Sequence, residues 1–158
     1  MKKMILAGLI ALATTFFTTA QNESNNKKPT FEVKVITSVE SIVPLGLGRS
    51  RLISTNAIRD YKEFSSEQTE EDNKRNKSKR KDIRVKDFEE TKLLNFYNIG
   101  GIRFQNIAAN DAVISSKLTA MLAEGWDLIF VTSAVESDAG ETDEQGIFIT
   151  RYIFKRRL

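Results

Sequence analysis

The chain has 158 residues, of which 41% are hydrophobic and 28% charged, with a formal net charge of +3 and neither cysteine nor histidine. That length suits a single domain, and the apolar share is too high for a wholly disordered chain. The missing residue types exclude a Ser-His-Asp triad, a Cys-His nucleophile, thiolate or imidazole zinc sites, disulfides and histidine-ligated haem. We therefore expect no cofactor and a fold held together by burial.

The N-terminus has the pattern of a secretory signal peptide. Two lysines at positions 2 and 3 precede an apolar run over 4–17, and small residues at 18–20 lead into a polar sequence. The alternative is a membrane anchor, but the run is shorter than the ~20 residues that span a bilayer. We predict that 1–20 is a signal peptide cleaved after Ala20. The mature protein is then periplasmic or secreted, with no membrane span.

Signal removal changes the charge balance. Residues 1–20 contain two lysines and no acid, so the net charge of the mature chain is +1 rather than +3. Nucleic-acid binding normally needs a clear basic excess. The charge balance therefore argues against nucleic acid as a partner.

The mature chain begins with a polar stretch and then a strand. Residues 21–30 lack periodicity, which predicts a flexible leader, and we expect a single α+β domain over 31–158. Residues 31–35 alternate between apolar and polar, as in a strand with one buried face. A glycine-bent loop then leads to a second short strand at 51–53.

A charged segment over 67–90 interrupts these elements. It contains eight basic and eight acidic side chains and three large apolar ones. Such a segment buries too little surface to offset its ordering entropy, so we expect a mobile insertion over about 66–90. Of this insertion, about 66–84 should be dispensable for folding. Its basic core at 74–81 has the pattern of a polyanion-binding patch. Because neighbouring acids cancel its field, a solvated loop is favoured.

The clearest helix follows a predicted strand at 92–97 and a Gly-Gly turn. Asn110 or Asp111 is expected to cap its start, and Gly125 to end it. Apolar residues recur between them at helical spacing. The helix therefore presents an apolar stripe to the core.

The last third of the chain predicts a β-hairpin. Apolar segments at 126–132 and 147–156 are joined by a polar connection over 133–146. We therefore predict an α+β fold: a small antiparallel sheet with one main helix packed on one face, plus the long charged insertion.

Three motifs occur in a recognisable order: FEVKV at 31–35, EGWDL at 124–128 and YIFKR at 152–156. In this order they resemble the bacterial domain-of-unknown-function family 4177, whose small α+β members share a first strand, an EGWEL junction and an FKR ending. The resemblance covers about 50 residues, and 38–110 departs from the family as a long insertion. It implies a fold and transfers no catalytic residue.

Two acidic arrangements are candidate sites, and neither has the spacing that its chemistry needs. Four carboxylates in the hairpin connection (Asp138, Glu141, Asp143, Glu144) suit calcium by chemistry, but the EF-hand spacing is missing. Glycoside hydrolysis needs two carboxylates facing each other across a cleft, and no such pair is evident. We therefore predict no metal site and no catalytic residue.

The candidate contact for an anion or a partner consists of three arginines. Arg49 and Arg51 point to the same side of an extended segment beside two glycines, and Arg103 is a third donor. Guanidinium groups suit carboxylate or phosphate recognition. The alternative is that these arginines pair with acids of the same chain.

These features favour an exported, cofactor-free α+β domain that acts by binding or assembly. We expect its partner to be an unidentified protein or acidic ligand, and we expect no enzymatic activity. The alternative is a hydrolase that uses carboxylate or Ser/Lys chemistry. It would need a deep pocket lined by two buried acids or by a Ser-Lys pair.

Overall fold

The computed structural model describes residues 30–42, 50–98, 100–136 and 146–158. The signal peptide, residues 21–29 of the leader, Arg49 and the four carboxylates of the hairpin connection lie outside the described residues. The strands are β1 (Phe31–Ser41), β2 (Arg51–Thr55), β3 (Phe88–Lys92), β4 (Tyr97–Asn98), β5 (Gly101–Ile102), β6 (Asp127–Glu136) and β7 (Ile147–Arg157). The helices are α1 (Arg80–Ile83), α2 (Phe104–Ala123) and a 3-10 turn at Tyr61–Phe64.

Five strands form one sheet in the order β3-β2-β1-β7-β6, with every neighbouring pair antiparallel. β1 and β7 form its centre and pair along their whole length, from Phe31 opposite Arg157 to Ser41 opposite Ile147. β4 and β5 form a separate two-stranded ribbon. This architecture confirms the α+β class, the antiparallel sheet with one main helix and the hairpin of β6 and β7.

Alternation along β1 separates the two faces of the sheet. Ile36, Ser38 and Glu40 are buried, whereas Phe31 and Val33 on the other face are exposed. The strand at 31–35 is therefore confirmed, but the apolar face that its alternation indicated is not the buried one. Successive side chains of a strand point to opposite faces, so one face packs against α2 and the other is open. The core combines residues of the strands, of α2 and of the segment after β3: Ile36, Leu52, Leu93, Ile114, Met121, Trp126 and Phe154.

The end of α2 agrees with the sequence prediction. Gly125 has a φ of +82°, and its N–H donates to the carbonyl of Leu122, while the Trp126 N–H donates to that of Met121. These two bonds form a Schellman motif, which favours glycine at the left-handed position. Trp126 is thereby buried in the core, and the Arg156 guanidinium lies 4.3 Å from the centre of its ring.

The predicted start of α2 is wrong. The helix begins at Phe104, with Arg103 in the N-cap position, and Asn110 lies inside it. Asn110 is only 1% exposed, and its side chain bonds to neighbouring segments instead of capping the helix. Ile107 and two alanines at 108 and 109 sustain the helix through this region, since alanine has the best helix propensity.

The predicted strand at 92–97 is wrong over most of its length, and part of the expected insertion forms a strand instead. Residues 88–90 lie in β3, which pairs with β2, while 93–96 connect β3 to β4. The connection is fixed by hydrogen bonds from the Leu93 N–H to the Ser50 carbonyl and from the Phe96 N–H to the Ser41 carbonyl. A strand rich in charge is tolerated at a sheet edge, where its side chains remain solvated. Mobility of the rest of the insertion stays a prediction.

Candidate functional site

The β6 edge, defined as the outer side of Asp127–Glu136, is the longest exposed backbone edge of the described sheet. One side of β6 pairs with β7, and no described strand pairs with the other. Eight consecutive residues, 128–135, carry no charge. An edge of this kind presents unpaired N–H and C=O groups to any strand that approaches it.

The side chains of β6 are exposed on both faces of the sheet. Phe130 lies opposite Ile153 on the open face, and Val131 lies opposite Tyr152 on the α2 face. All ten residues of the strand are exposed, and Phe130 reaches 59%. A bulge between Leu128 and Phe130 shifts the register with β7. A strand added here would therefore cover apolar surface on both faces at once.

A partly buried polar cluster lies beneath α2. Asn110 donates through Nδ2 to Oε1 of Glu40 at 2.8 Å and to the Leu94 carbonyl at 2.8 Å, and its Oδ1 accepts from the Leu94 N–H at 2.7 Å. One side chain thus joins α2, β1 and the segment that follows β3. Glu40 is 7% exposed, so this amide is a main partner of its buried carboxylate.

Burial governs the ionisation of this cluster. Burial raises the pKa of Glu40 above its ordinary value. The negative charge of Asp111 raises this pKa further, whereas the hydrogen bond from Asn110 lowers it. Burial also raises the pKa of Tyr152, and Glu40 and Asp111 add to the effect. Ser38 lies close enough to Tyr152 to oppose that rise, although its hydroxyl makes no hydrogen bond of ordinary geometry.

The cluster does not form a hydrolytic site. Asp111 is exposed at the surface of α2, so Glu40 is the one buried carboxylate among the described residues, and catalysis by paired acids needs two. No group of three or more metal-ligating side chains occurs among the described residues. The arrangement instead fixes α2 to the sheet.

A groove of about 520 Å³ separates α2 from β2 and β3. Its lining includes Leu52, Glu89, Thr91, Val113, Ser116 and Lys117. Ser116 and Lys117 are the residue types of a Ser/Lys hydrolase, but the Lys117 amine donates to Glu89 at 2.8 Å. The Lys117 amine is therefore ion-paired with Glu89 and is not placed as a base for the Ser116 hydroxyl.

The two candidate arginines within the described residues occupy different places. Arg51 lies at the start of β2, ion-paired through Nε with Glu90 on β3, and it donates to the Ser50 carbonyl at 2.7 Å. Arg103 precedes α2 and is exposed, and its backbone N–H donates to the Phe96 carbonyl. Arg51 has the intramolecular partner that the alternative interpretation expects. A role for these arginines in recognition stays a prediction.

Sequence reasoning missed Glu40, Asn110 and the β6 edge as sites. A signal existed for Asn110, because it lies one helical turn before Ile114 and continues the apolar stripe of α2. No comparable signal existed for β6, since its exposure follows from the strand order. Comparison with known proteins finds no matching family model, curated protein or solved structure. Within the described ranges, no helix is long and apolar enough to cross a membrane.

Proposed function

We propose that this protein is a binding module whose recognition element is the β6 edge, to which a partner polypeptide adds as a further strand. The observation that carries the proposal is a ten-residue edge that is exposed throughout and has no charge over 128–135. Extended peptides bind sheet edges in this way, with affinity from the main chain and specificity from alternate side chains.

The free-energy contributions of the possible contacts indicate which interaction must supply the affinity for an added strand. Fully burying a Val, Leu, Ile or Phe side chain contributes ~1.5–3 kcal/mol. Covering the five half-exposed apolar residues of β6 would thus contribute roughly 4–7 kcal/mol. Association costs ~4–15 kcal/mol, so apolar burial alone offsets only the lower part of this range. Main-chain hydrogen bonds, at ~0.5–1.5 kcal/mol each, must then supply the net affinity.

The test uses a fluorescent ten-residue peptide of alternating Thr and Val, and a second copy N-methylated on alternate residues. Both have the same side chains, but N-methylation removes the donors that face β6. We expect anisotropy to detect binding of the first peptide alone. Equal binding of both peptides would show apolar adhesion and overturn strand addition.

A pair of matched variants locates the binding. Val131→Lys places a charge on β6 and Phe88→Lys places one on β3, at side chains that are 46% and 44% exposed. We expect Val131→Lys to weaken peptide binding at least tenfold and Phe88→Lys to leave it unchanged. Circular dichroism melts confirm that both variants fold. An equal loss in both variants would place the site elsewhere.

Export belongs to the same proposal. The pattern over 1–20 supports a signal peptide, so the module would act in the periplasm or outside the cell. The motif order shared with family 4177 supports a common fold and adds no activity. Intact-mass measurement of exported protein should give a chain that begins at Gln21, and retention of 1–20 in a membrane fraction would contradict export.

A further inference from the structure

The charges of the β6 edge lie at its two ends. Asp127 begins the strand and Glu136 ends it, with eight uncharged residues between them. Because of the bulge, these two residues lie opposite Lys155 and Ile147, eight ladder positions apart and on the same face of the sheet. At ~3.4 Å per position they lie about 27 Å apart. A strand laid along β6 therefore meets an acid at each end and apolar or hydroxyl side chains between.

Neither acid is neutralised by the described residues. The ion pairs among them join other side chains. Lys155 lies opposite Asp127 on β7, but its amine is 5.0 Å from the centre of the Phe31 ring, towards β1. Glu136 lies opposite Ile147, which carries no charge. Within the described part of the chain, both carboxylates therefore lack a basic ion-pair partner.

The same charges disfavour a second copy of this chain. When two β6 strands pair antiparallel in full register, Asp127 of each lies opposite Glu136 of the other. Like charges directly opposite each other destabilise a strand pair. A register shift separates the acids but shortens the pairing, so the edge fits a different sequence better than its own.

We propose that β6 selects an extended polypeptide with a basic residue at each end of an uncharged stretch of about seven residues rich in β-branched or aromatic side chains. The inference rests on the proposed function, because it requires that a strand adds to β6. Charge complementarity at Asp127 and Glu136 sets the ends, and the exposed apolar side chains set the centre.

The experiment compares two probe peptides, KTVTVTVTK and ETVTVTVTE, which differ only at their ends and whose end residues lie eight positions apart, as Asp127 and Glu136 do along the ladder. We expect the lysine-ended peptide to bind the full mature chain about tenfold more tightly than the glutamate-ended one, because two opposite-charge cross-strand pairs replace two like-charge pairs. Added salt should reduce this preference.

Matched charge variants test whether the two acids cause the preference. The double variant Asp127→Lys with Glu136→Lys should prefer the glutamate-ended peptide. The control, Glu67→Lys with Asp87→Lys, makes the same change in net charge at exposed positions before β3. It should keep the preference of the unmodified chain. An equal change in both double variants would show a general charge effect and overturn the proposal.

The remaining outcomes separate this inference from the proposed function. Equal binding of both peptides, still lost on N-methylation, would overturn the charge rule and leave strand addition standing. Absence of binding by either peptide would overturn both. Sedimentation that shows a dimer of the unmodified chain and a monomer of Val131→Lys would make a second copy the occupant, which also overturns the inference.

Discussion

The two edges of the sheet differ in length, charge and cover. β3 has five residues, of which three are charged, and Glu89 and Glu90 pair with Lys117 and Arg51. β6 has ten residues and carries charge only at its ends. Short, charged edges resist the addition of foreign strands, whereas long uncharged ones invite it. Among the described residues, one edge of this sheet is thus protected by charged side chains and the other is open.

The largest loss of stability should come from weakening the attachment of α2 to β1 and to the segment after β3. Asn110→Leu removes the hydrogen bonds to Glu40 and Leu94 and leaves a buried carboxylate and backbone groups without partners. We expect a loss of about 3 kcal/mol or more in the free energy of unfolding. Because Leu94 follows β3, hydrogen exchange should accelerate at β3 before β6.

The control for that variant is Gln105→Ala, at an exposed position of the same helix. Its free energy of unfolding should change by less than about 0.5 kcal/mol. Equal acceleration of exchange at both edges in Asn110→Leu would show that Asn110 supports the whole sheet rather than one side.

The pH dependence of stability should reveal the burial of Glu40. Its folded-state pKa lies above the ordinary value, so the folded state binds this proton more tightly than the unfolded state. Stability from this group is present below the unfolded-state pKa and is lost as pH rises through the folded-state pKa. Glu40→Gln keeps an acceptor for Asn110 and removes the titration.

Melting temperatures of Glu40→Gln and the unmodified chain should nearly coincide near pH 4, and the variant should become the more stable as pH rises. Glu67→Gln, at an exposed position, is the control and should follow the unmodified chain. Peptide binding at β6 should not depend on Glu40. A constant difference in melting temperature at every pH would contradict the assigned burial cost.

A smaller effect is expected at the ion pair between Arg51 on β2 and Glu90 on β3. A double-mutant cycle of Arg51→Ala and Glu90→Gln should give a coupling of ~0–1 kcal/mol, as for other exposed pairs. With so weak a coupling, Arg51 can exchange Glu90 for an acidic group of a binding partner. The double variant Arg49→Ala with Arg51→Ala should then weaken capture of that partner. A larger coupling would make Arg51 structural and end its candidacy.

The smallest effect should follow from cutting the charged segment. Limited trypsin digestion is expected to cleave first within 74–81, where basic residues are dense and exposed. Because β3 is paired with β2 and fixed by the Leu93 N–H, the cut chain should keep its melting temperature within a few degrees. Protection of this stretch would show that it is docked.

The sequence predicted local features well because their causes are local. Alternation at 31–35 and the glycine at 125 act within a few residues, so the presence of β1 and the end of α2 were predictable. The alternation indicated the wrong buried face, because Phe31 and Val33 are exposed and the face of Ile36 packs against α2. The partnership of Glu40 with Asn110 joins positions 70 residues apart, and no short pattern encodes it. Whether a strand lies at an edge depends on the order of all five strands, so the exposure of β6 required the three-dimensional structure. β3 was missed because pairing with β2 outweighs its charged composition.

The register of β1 and β7 has a mechanical consequence. Phe31 lies opposite Arg157, and the Leu158 N–H donates to the Thr30 carbonyl at 3.1 Å. Positions 30 and 158 are therefore neighbours at one end of the central strand pair. A pulling force applied between them acts across the ladder and opens its hydrogen bonds one after another, starting at Thr30. Tension through these two attachment points should thus unzip the sheet from its centre at low force, while tension applied along β6 would load many bonds together.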